Sequence, residues 1–404
     1  MDILSRAKNL EAYIIERRRF YHSCPELAWQ EVETTRSIAE DLRAMDIEPK
    51  LFKNHTGLTA EIRGKNPGKT LILRADIDAL KVKEQTGLPF SSKTDCMHAC
   101  GHDCHIAMQL GAARILNELR DEFDGTIRLL FQPAEEGGMG ALKIIEEGVL
   151  ADADAIYGTH VWGTVRAPLI DITPGFRMAA SNRFRLTIHG ETAHGSAPHL
   201  GADAITAASS IILNLQMLVS RFNCATDPMV LTIGKIQGGT QYNVIPDLVE
   251  IEGTVRHFRT DQSIEAEMRR MIGGIAEALK VRWVLDYIYL NYPVNNRYDE
   301  VTNICRNAAE TLFGKESLTQ MPTLMSSEDF SWYLREIPGV FTFIGSSNPE
   351  KGITGTNHQN IYDVDEDILK RGTALAVQFA LDFLHENSDI PGTPLSAAKS
   401  STIR

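Results

Sequence analysis

The feature that most restricts how this chain folds is a change of rhythm along it. Up to about residue 178, short apolar strand-like runs alternate with amphipathic helical stretches. Residues 10–20 and 31–45 read as helices, and 58–63 and 70–74 as strands. A helix near 104–119, a strand at 126–131, a helix after Gly140 and a strand at 155–160 follow. Such alternation predicts an α/β fold, a layered, mostly parallel sheet with helices on its faces. From about Ala179 the order becomes strand 184–188, helix 202–221, strands 230–236 and 249–256, helix 264–279 and strand 283–289. That β-α-β-β-α-β order is the split motif of a ferredoxin-like domain. After Pro293 the α/β pattern returns, with a helix at 301–312, a strand at 340–344 and a helix at 368–383. The expected organisation is one discontinuous domain, residues 1–178 and 292–404, interrupted by a smaller one at 179–291. From about residue 388 the composition turns to Ser, Pro, Gly and Lys, and a frayed tail is expected.

The length allows two or three domains of ordinary size. The chain has 404 residues, enough to bury its core without disulfide staples. Hydrophobic residues make up 43% and charged residues 23%, which argues against a disordered or fibrous chain. The formal net charge is −12, with no basic stripe, so no nucleic-acid partner is expected. The N-terminal residues lack an apolar secretory core, and no run of 18 or more apolar residues stands out. No membrane partner is expected, and the cytoplasm is the expected location. Three of the six cysteines crowd into nine residues among histidines, a pattern of metal or catalytic chemistry more than of disulfides.

That cluster is Cys96-Met97-His98-Ala99-Cys100-Gly101-His102-Asp103-Cys104-His105. Thiols and imidazoles in this density suit zinc, cobalt, nickel or similar ions. A closed structural zinc site would want a second cysteine pair downstream, and an iron–sulfur cluster more cysteines elsewhere. Spacing alone does not choose the ligands. His98 and His102 would share a helix face, as would His102 and His105. Gly101 argues that the helix begins only afterwards, which leaves Cys100 and His102 in a turn.

Further candidates lie where strands end. Gln132-Pro133-Ala134-Glu135-Glu136-Gly137-Gly138 follows the apolar strand at 126–131. Two adjacent carboxylates there can divide the work, one holding a metal and the other moving a proton. His160 is expected at the end of the strand 155–160, the edge where open α/β sheets bind ligands. Asp76 and Asp78 close another strand, suited to orienting ligands or capping the next element. His358 falls in a late polar loop. Taken singly, a histidine such as His160 or His358 is more often a core or surface residue than a ligand.

Taken together and in order, these segments resemble a known family. Arg74-Ala75-Asp76-Ile77-Asp78-Ala79-Leu80, Met97 to Asp103, Gln132 to Gly137, Gly158-Thr159-His160 and His358 are similar to the aminoacylase/carboxypeptidase group of dinuclear metalloamidases. The nearest branch is that of indole-acetyl-amino-acid hydrolases, hippuricases and N-acyl-amino-acid amidohydrolases. Further matches are His22-Ser23-Cys24-Pro25-Glu26-Leu27, Ala193-His194-Gly195-Ser196, Tyr242-Asn243-Val244-Ile245-Pro246, Gly253-Thr254-Val255-Arg256 and Ser327-Glu328-Asp329-Phe330.

The resemblance implies a metal-binding catalytic domain and a lid domain often used for dimerisation. It implies two divalent ions per chain, zinc first and manganese, cobalt or nickel as alternatives. Cys100, His102, Glu136, His160 and His358 match the ligand positions, with Cys100 shared between the ions. Glu135 matches the general base and acid, and His194 the histidine that reaches the reacting carbonyl, in its own or a partner's site. Asn243 and Arg256 match positions that hold a substrate carboxylate. Asp76 and Asp103 are expected as supports beside the ligands. His98, Cys96, Cys104, His105 and His199 are left as packing or supporting groups. Lys81 and Asn360 stand where the family often has proline, which affects only loop shape. The expected reaction is hydrolysis of an N-acyl amino acid to a carboxylic acid and a free amino acid. The alternative is a metallocarboxypeptidase or dipeptidase. A metal-free binding relative is the rival class. A homodimer or homotetramer is expected.

Overall fold

Four strands carry the centre of the molecule: Thr70–Asp76, Thr126–Gln132, Ala155–Arg166 and Gly339–Ser347. These four run parallel to one another. All seven residues of Thr70–Asp76 are buried, as are eight of nine in Gly339–Ser347. Strands covered on both faces lose the apolar–polar alternation and read as continuous apolar runs. Antiparallel Leu58–Arg63 and Pro49–Leu51 extend one edge, and short Ile170–Asp171 and Leu318–Thr319 extend the other, giving eight strands.

The computed structural model describes residues 2–386, so the expected frayed tail lies outside the described residues. The chain divides into two compact units. The first comprises Met1–Gly175, Asn295–Pro322 and Asp329–Arg404, and holds the eight-stranded sheet. Its helix His102–Glu118 packs on Thr70–Asp76 and between Glu11–Ser23 and Leu369–His385. From His102 to Ala113 every residue of this helix is buried, so it shows no polar face. The second unit comprises Phe176–Val294 and Thr323–Glu328. Its strands Ala180–His189, Val230–Gly238, Leu248–His257 and Arg282–Asn291 form an antiparallel sheet. Helices Ala204–Met217 and Ser263–Ala278 bury Ala207, Ile211, Leu215, Met268 and Ile272 together with Phe184, Leu186, Val249 and Ile251 of that sheet.

Some elements differ from the sequence expectation. His160 does not end its strand: pairing with Gly339–Ser347 carries it on to Arg166. The expected helix at 10–20 is preceded by a separate one, Ile3–Asn9, and itself runs Glu11–Ser23. The stretch Ala204–Phe222 is, by length and mean composition, the one described helix long and apolar enough to cross a membrane, which a search for unbroken apolar runs passes over. It is amphipathic instead, with Ala204, Ala207, Ala208, Ile211 and Leu215 turned into the core of the second unit.

Candidate metal centre

The site assembles where two parallel strands of the first unit end and one helix begins. Thr70–Asp76 delivers Asp76 and, two residues on, Asp78. Thr126–Gln132 delivers Glu135 and Glu136. Gly101 takes the left-handed conformation with φ 90°, and a β-carbon there would stand 2.3 Å from Val161 Cγ2. Glycine therefore makes the turn that presents Cys100. The helix starts at His102, so Cys100 lies in the turn and His102 is the first helical residue, not a turn residue.

All five expected ligands meet here. The donor atoms of Cys100, His102 and His160 lie within 4.8 Å of one another, and so do those of Cys100, Glu136 and His358. Cys100 is common to both groups. Cys100 Sγ is 3.3 Å from His160 Nε2, and His358 Nε2 is 3.2 Å from Glu136 Oε1. Glu135 joins His102 and Glu136 in a third group.

Hydrogen bonds fix which nitrogen each histidine offers. His102 Nδ1 lies 2.9 Å from the Asp78 carbonyl oxygen and 3.2 Å from Asp78 Oδ1, so it donates and leaves Nε2 bare. His160 Nδ1 donates to the Val161 carbonyl at 2.8 Å, which turns its Nε2 toward Cys100. His102 Nε2 is buried without a hydrogen-bond partner. A buried group left unpaired is costly unless a ligand completes it.

The electrostatics point the same way. Burial, with Glu136, Glu135 and Asp76 nearby, pushes the Cys100 thiol well up. His102 is pushed up to about 10: burial opposes the shift, but Asp76, Asp78 and Glu136 outweigh it. Burial drives His160 well down, to the neutral imidazole. A pocket that stabilises protons this strongly on a thiol and an imidazole is one a divalent cation would neutralise. The donor set, the bare His102 Nε2 and the negative potential all fit a metal.

The supports are arranged differently from expectation. Asp78 orients His102 through Nδ1, while Asp76 stands beside the same ring with Oδ2 3.7 Å from His102 Nε2. Asp76 accepts from Arg74 Nη1 at 2.6 Å and pairs with His105 Nδ1. His105 Nε2 in turn accepts the Val161 N–H at 3.0 Å. Asp103 holds no ligand: its partners are Arg18 Nε at 2.9 Å and His22 Nδ1 at 2.8 Å, so it ties the start of the helix to Glu11–Ser23. Asn357 carries no expectation, yet it joins two ligand-bearing segments. Its Nδ2 donates to the Cys100 and Val161 carbonyls at 3.2 and 3.1 Å, and its Oδ1 accepts the Gly163 N–H at 2.9 Å. Its place beside His358 in a polar loop was the available signal. Burial drives His98 down to about 3, and it belongs to none of the convergent groups among the described residues.

The second unit carries the remaining candidates. His194 is exposed on a short strand that pairs with Val244–Ile245, and its Nδ1 lies 2.7 Å from Ser196 Oγ. The Asn243 carbonyl accepts the Gly195 N–H at 2.8 Å, which places Asn243 beside His194. Arg256 is half-buried near the end of Leu248–His257 and donates from Nη1 to Ser327 Oγ at 2.8 Å.

A buried cluster of thiol, imidazole and carboxylate donors beside a second carboxylate defines a metallohydrolase type of centre. The comparisons specify it further. Residues 72–382 match the profile of Peptidase family M20/M25/M40, and the chain belongs to that family. It is 38% identical to the N-acetyl-L-cysteine deacetylase of Bacillus subtilis (strain 168), over 94% of this chain and 90% of that protein. It is 36% identical to thermostable carboxypeptidase 1 of Saccharolobus solfataricus, over 95% and 99%. It is also 36% identical to the IAA-amino acid hydrolase ILR1-like 4 of Arabidopsis thaliana, over 95% and 88%. Among solved structures, a dinuclear metal-binding peptidase of the M20 family from Bacillus subtilis superposes with a TM-score of 0.82 at 36% identity, covering 93% of this chain and 99% of that one.

Proposed function

We propose that this chain is a metal-dependent amidohydrolase that cleaves an N-acyl amino acid of acetyl, benzoyl or indole-acetyl type into a carboxylic acid and a free amino acid. The observation that carries the reading is the convergence of Cys100, His102, His160, Glu136 and His358 around the bare, buried Nε2 of His102, with Glu135 beside them. These five would hold two divalent ions, zinc or alternatively manganese, cobalt or nickel, with Cys100 common to both. Such ions, when bound, supply polarisation of the amide carbonyl and acidification of water. Glu135 takes a proton from the attacking water and returns it to the leaving nitrogen. His194 donates to the oxygen that becomes negative, a contribution typically worth about 10²–10³ in rate. Asn243 and Arg256 hold the substrate carboxylate. Burial lowers the Arg256 guanidinium with no carboxylate among the causes, which supports an anion from outside as its partner.

Residues 1–178 and 292–404 would form the catalytic domain, and 179–291 a ferredoxin-like lid. The strand order in the second unit supports that reading. A homodimer through this domain is supported by Leu213, 71% exposed, with Ile205, Met217 and Phe222 on the same helical stretch. Val230–Gly238 is the adjacent edge strand, with Val230 and Ile236 also exposed. A cytoplasmic location is supported by six free cysteines.

The test pairs metal content with hydrolysis of N-acetyl, N-benzoyl and indole-acetyl amino acids, against dipeptides. The expected result is about two ions per chain, activity lost on chelation and restored on metal return, and E135Q that keeps metal but not turnover. Near-normal turnover in E135Q would sink the assignment of Glu135. Cleavage of dipeptides alone would move the reading to a peptidase, and no hydrolysis by metal-loaded protein would overturn it.

A further inference from the structure

Glu31 is fully buried, and none of the roles above includes it. It directly precedes the helix Val32–Arg43, where a carboxylate would ordinarily cap the first turn, yet its side chain makes no capping bond. It reaches elsewhere. Glu31 Oε1 accepts the Ala134 N–H at 2.9 Å, and Oε2 accepts the Thr56 hydroxyl at 2.6 Å.

Ala134 is the residue before Glu135. It is fully buried and sits at φ 56°, in the left-handed region. A residue with a β-carbon stays there only where its surroundings hold it. Other contacts also fix the segment: the Gly140 N–H donates to the Ala134 carbonyl at 3.0 Å, and the Asp329 N–H donates to Glu135 Oε1 at 3.3 Å. Asp78 Oδ2 accepts the Glu136 N–H at 2.9 Å. Trp29 Nε1 donates to the Gly138 carbonyl at 3.1 Å. Asp329 Oδ2 accepts the Ala141 N–H at 2.8 Å. Glu31 supplies the side-chain bond to the N–H of the residue with the strained backbone. Were Ala134 to relax to negative φ, the chain would leave it in another direction and Glu135 would swing with it.

We propose that Glu31 is a positioning residue for the reaction, holding Ala134 in its left-handed turn so that Glu135 faces the substrate. This rests on the role given to Glu135 above. What the turn needs from Glu31 is shape and hydrogen bonding. Glutamine supplies both, since its amide oxygen accepts the Ala134 N–H and its amide nitrogen donates to Thr56 Oγ1. Alanine supplies neither.

The experiment compares wild-type, E31A and E31Q protein, each metal-loaded, for kcat, KM, bound metal and amide exchange of peptides spanning residues 132–141. E31A is expected to lose about 10- to 100-fold in kcat, the cost of misplacing a reacting group by about an ångström. Its KM and metal content should stay within about twofold of wild type, and its Ala134 amide should exchange faster. E31Q, isosteric and able to fold as wild type does, should recover kcat to within about threefold, with protection restored. Unchanged kcat in E31A, E31Q as slow as E31A, or metal lost in step with activity would each overturn the proposal. If wild-type protein hydrolyses no N-acyl amino acid, the proposed function fails separately. Unchanged exchange in E31A then overturns the pin on its own.

Discussion

Glu31 also makes a prediction about stability, independent of any substrate. Burial pushes its carboxyl from 4.5 to about 7, against the hydrogen bonds from Thr56 and Ala134 that favour the charged form. The folded protein thus holds this proton more tightly than the unfolded chain does. Its contribution to stability is fully present below pH 4.5 and is lost as pH rises through about 7. The interval between those values corresponds to about 3 kcal/mol lost well above neutrality. Near pH 5 the loss is only about 1 kcal/mol. E31Q keeps both hydrogen bonds and does not titrate. Its advantage over wild type should therefore grow by about 2 kcal/mol between pH 5 and pH 8. For a domain of this size that is about 5 °C in melting temperature. Both proteins are to be melted at each pH with the same metal loading, so that metal linkage enters both curves alike. A gap that stays constant, or narrows toward pH 8, would refute the reasoning.

Other outcomes follow from the geometry. G140A would place a β-carbon 1.9 Å from the Pro133 carbonyl oxygen and 3.0 Å from that of Ala134, both backbone atoms. It should cost about 1–3 kcal/mol in chemical denaturation and reduce kcat with the displaced Glu135 loop; a wild-type midpoint and rate would contradict this. R256A should raise KM for N-acyl amino acids by about 10²-fold with a smaller effect on kcat, because a charge-assisted bond of about 3 kcal/mol is lost. Equal KM values for R256A and wild type would remove Arg256 from substrate binding. Metal uptake at pH 7 should release about two protons, from the raised Cys100 thiol and from His102 at about 10. Calorimetry in buffers of different ionisation enthalpy reads this directly, and binding heats independent of buffer would refute it.

The sequence makes the ligand set legible but not its support. Soft donors in high density, and carboxylates just after apolar strands, are local signals. Periodicity also reveals the strands buried on both faces, because nothing polar interrupts them. What it hides is pairing at a distance. His160 reads as the end of a strand at 155–160, but pairing with Gly339–Ser347, far along the chain, extends that strand to Arg166. Asp76 and Asp78 are equivalent in sequence; only the direction of the His102 ring decides that Asp78 orients it. Asp103 looks like a support because it adjoins His102, yet a helix points neighbouring side chains in different directions, and it faces Arg18 and His22. Glu31 lies over a hundred residues from the turn it grips, and no spacing rule reaches that far.

The order of the central sheet has a consequence for synthesis. Ala155–Arg166 sits in the middle of the sheet, but the neighbour that completes it, Gly339–Ser347, is made about 180 residues later. At about 5–20 residues per second the ribosome needs roughly 10 to 35 seconds to close that interval. During it the nascent chain presents a long, apolar strand edge with unpaired backbone groups, carrying His160 on it. The second unit, Phe176–Val294 with Thr323–Glu328, emerges almost entirely within the same interval. This enzyme fold is therefore completed from its centre late, and its nascent chain is most exposed to aggregation just before Gly339–Ser347 is translated.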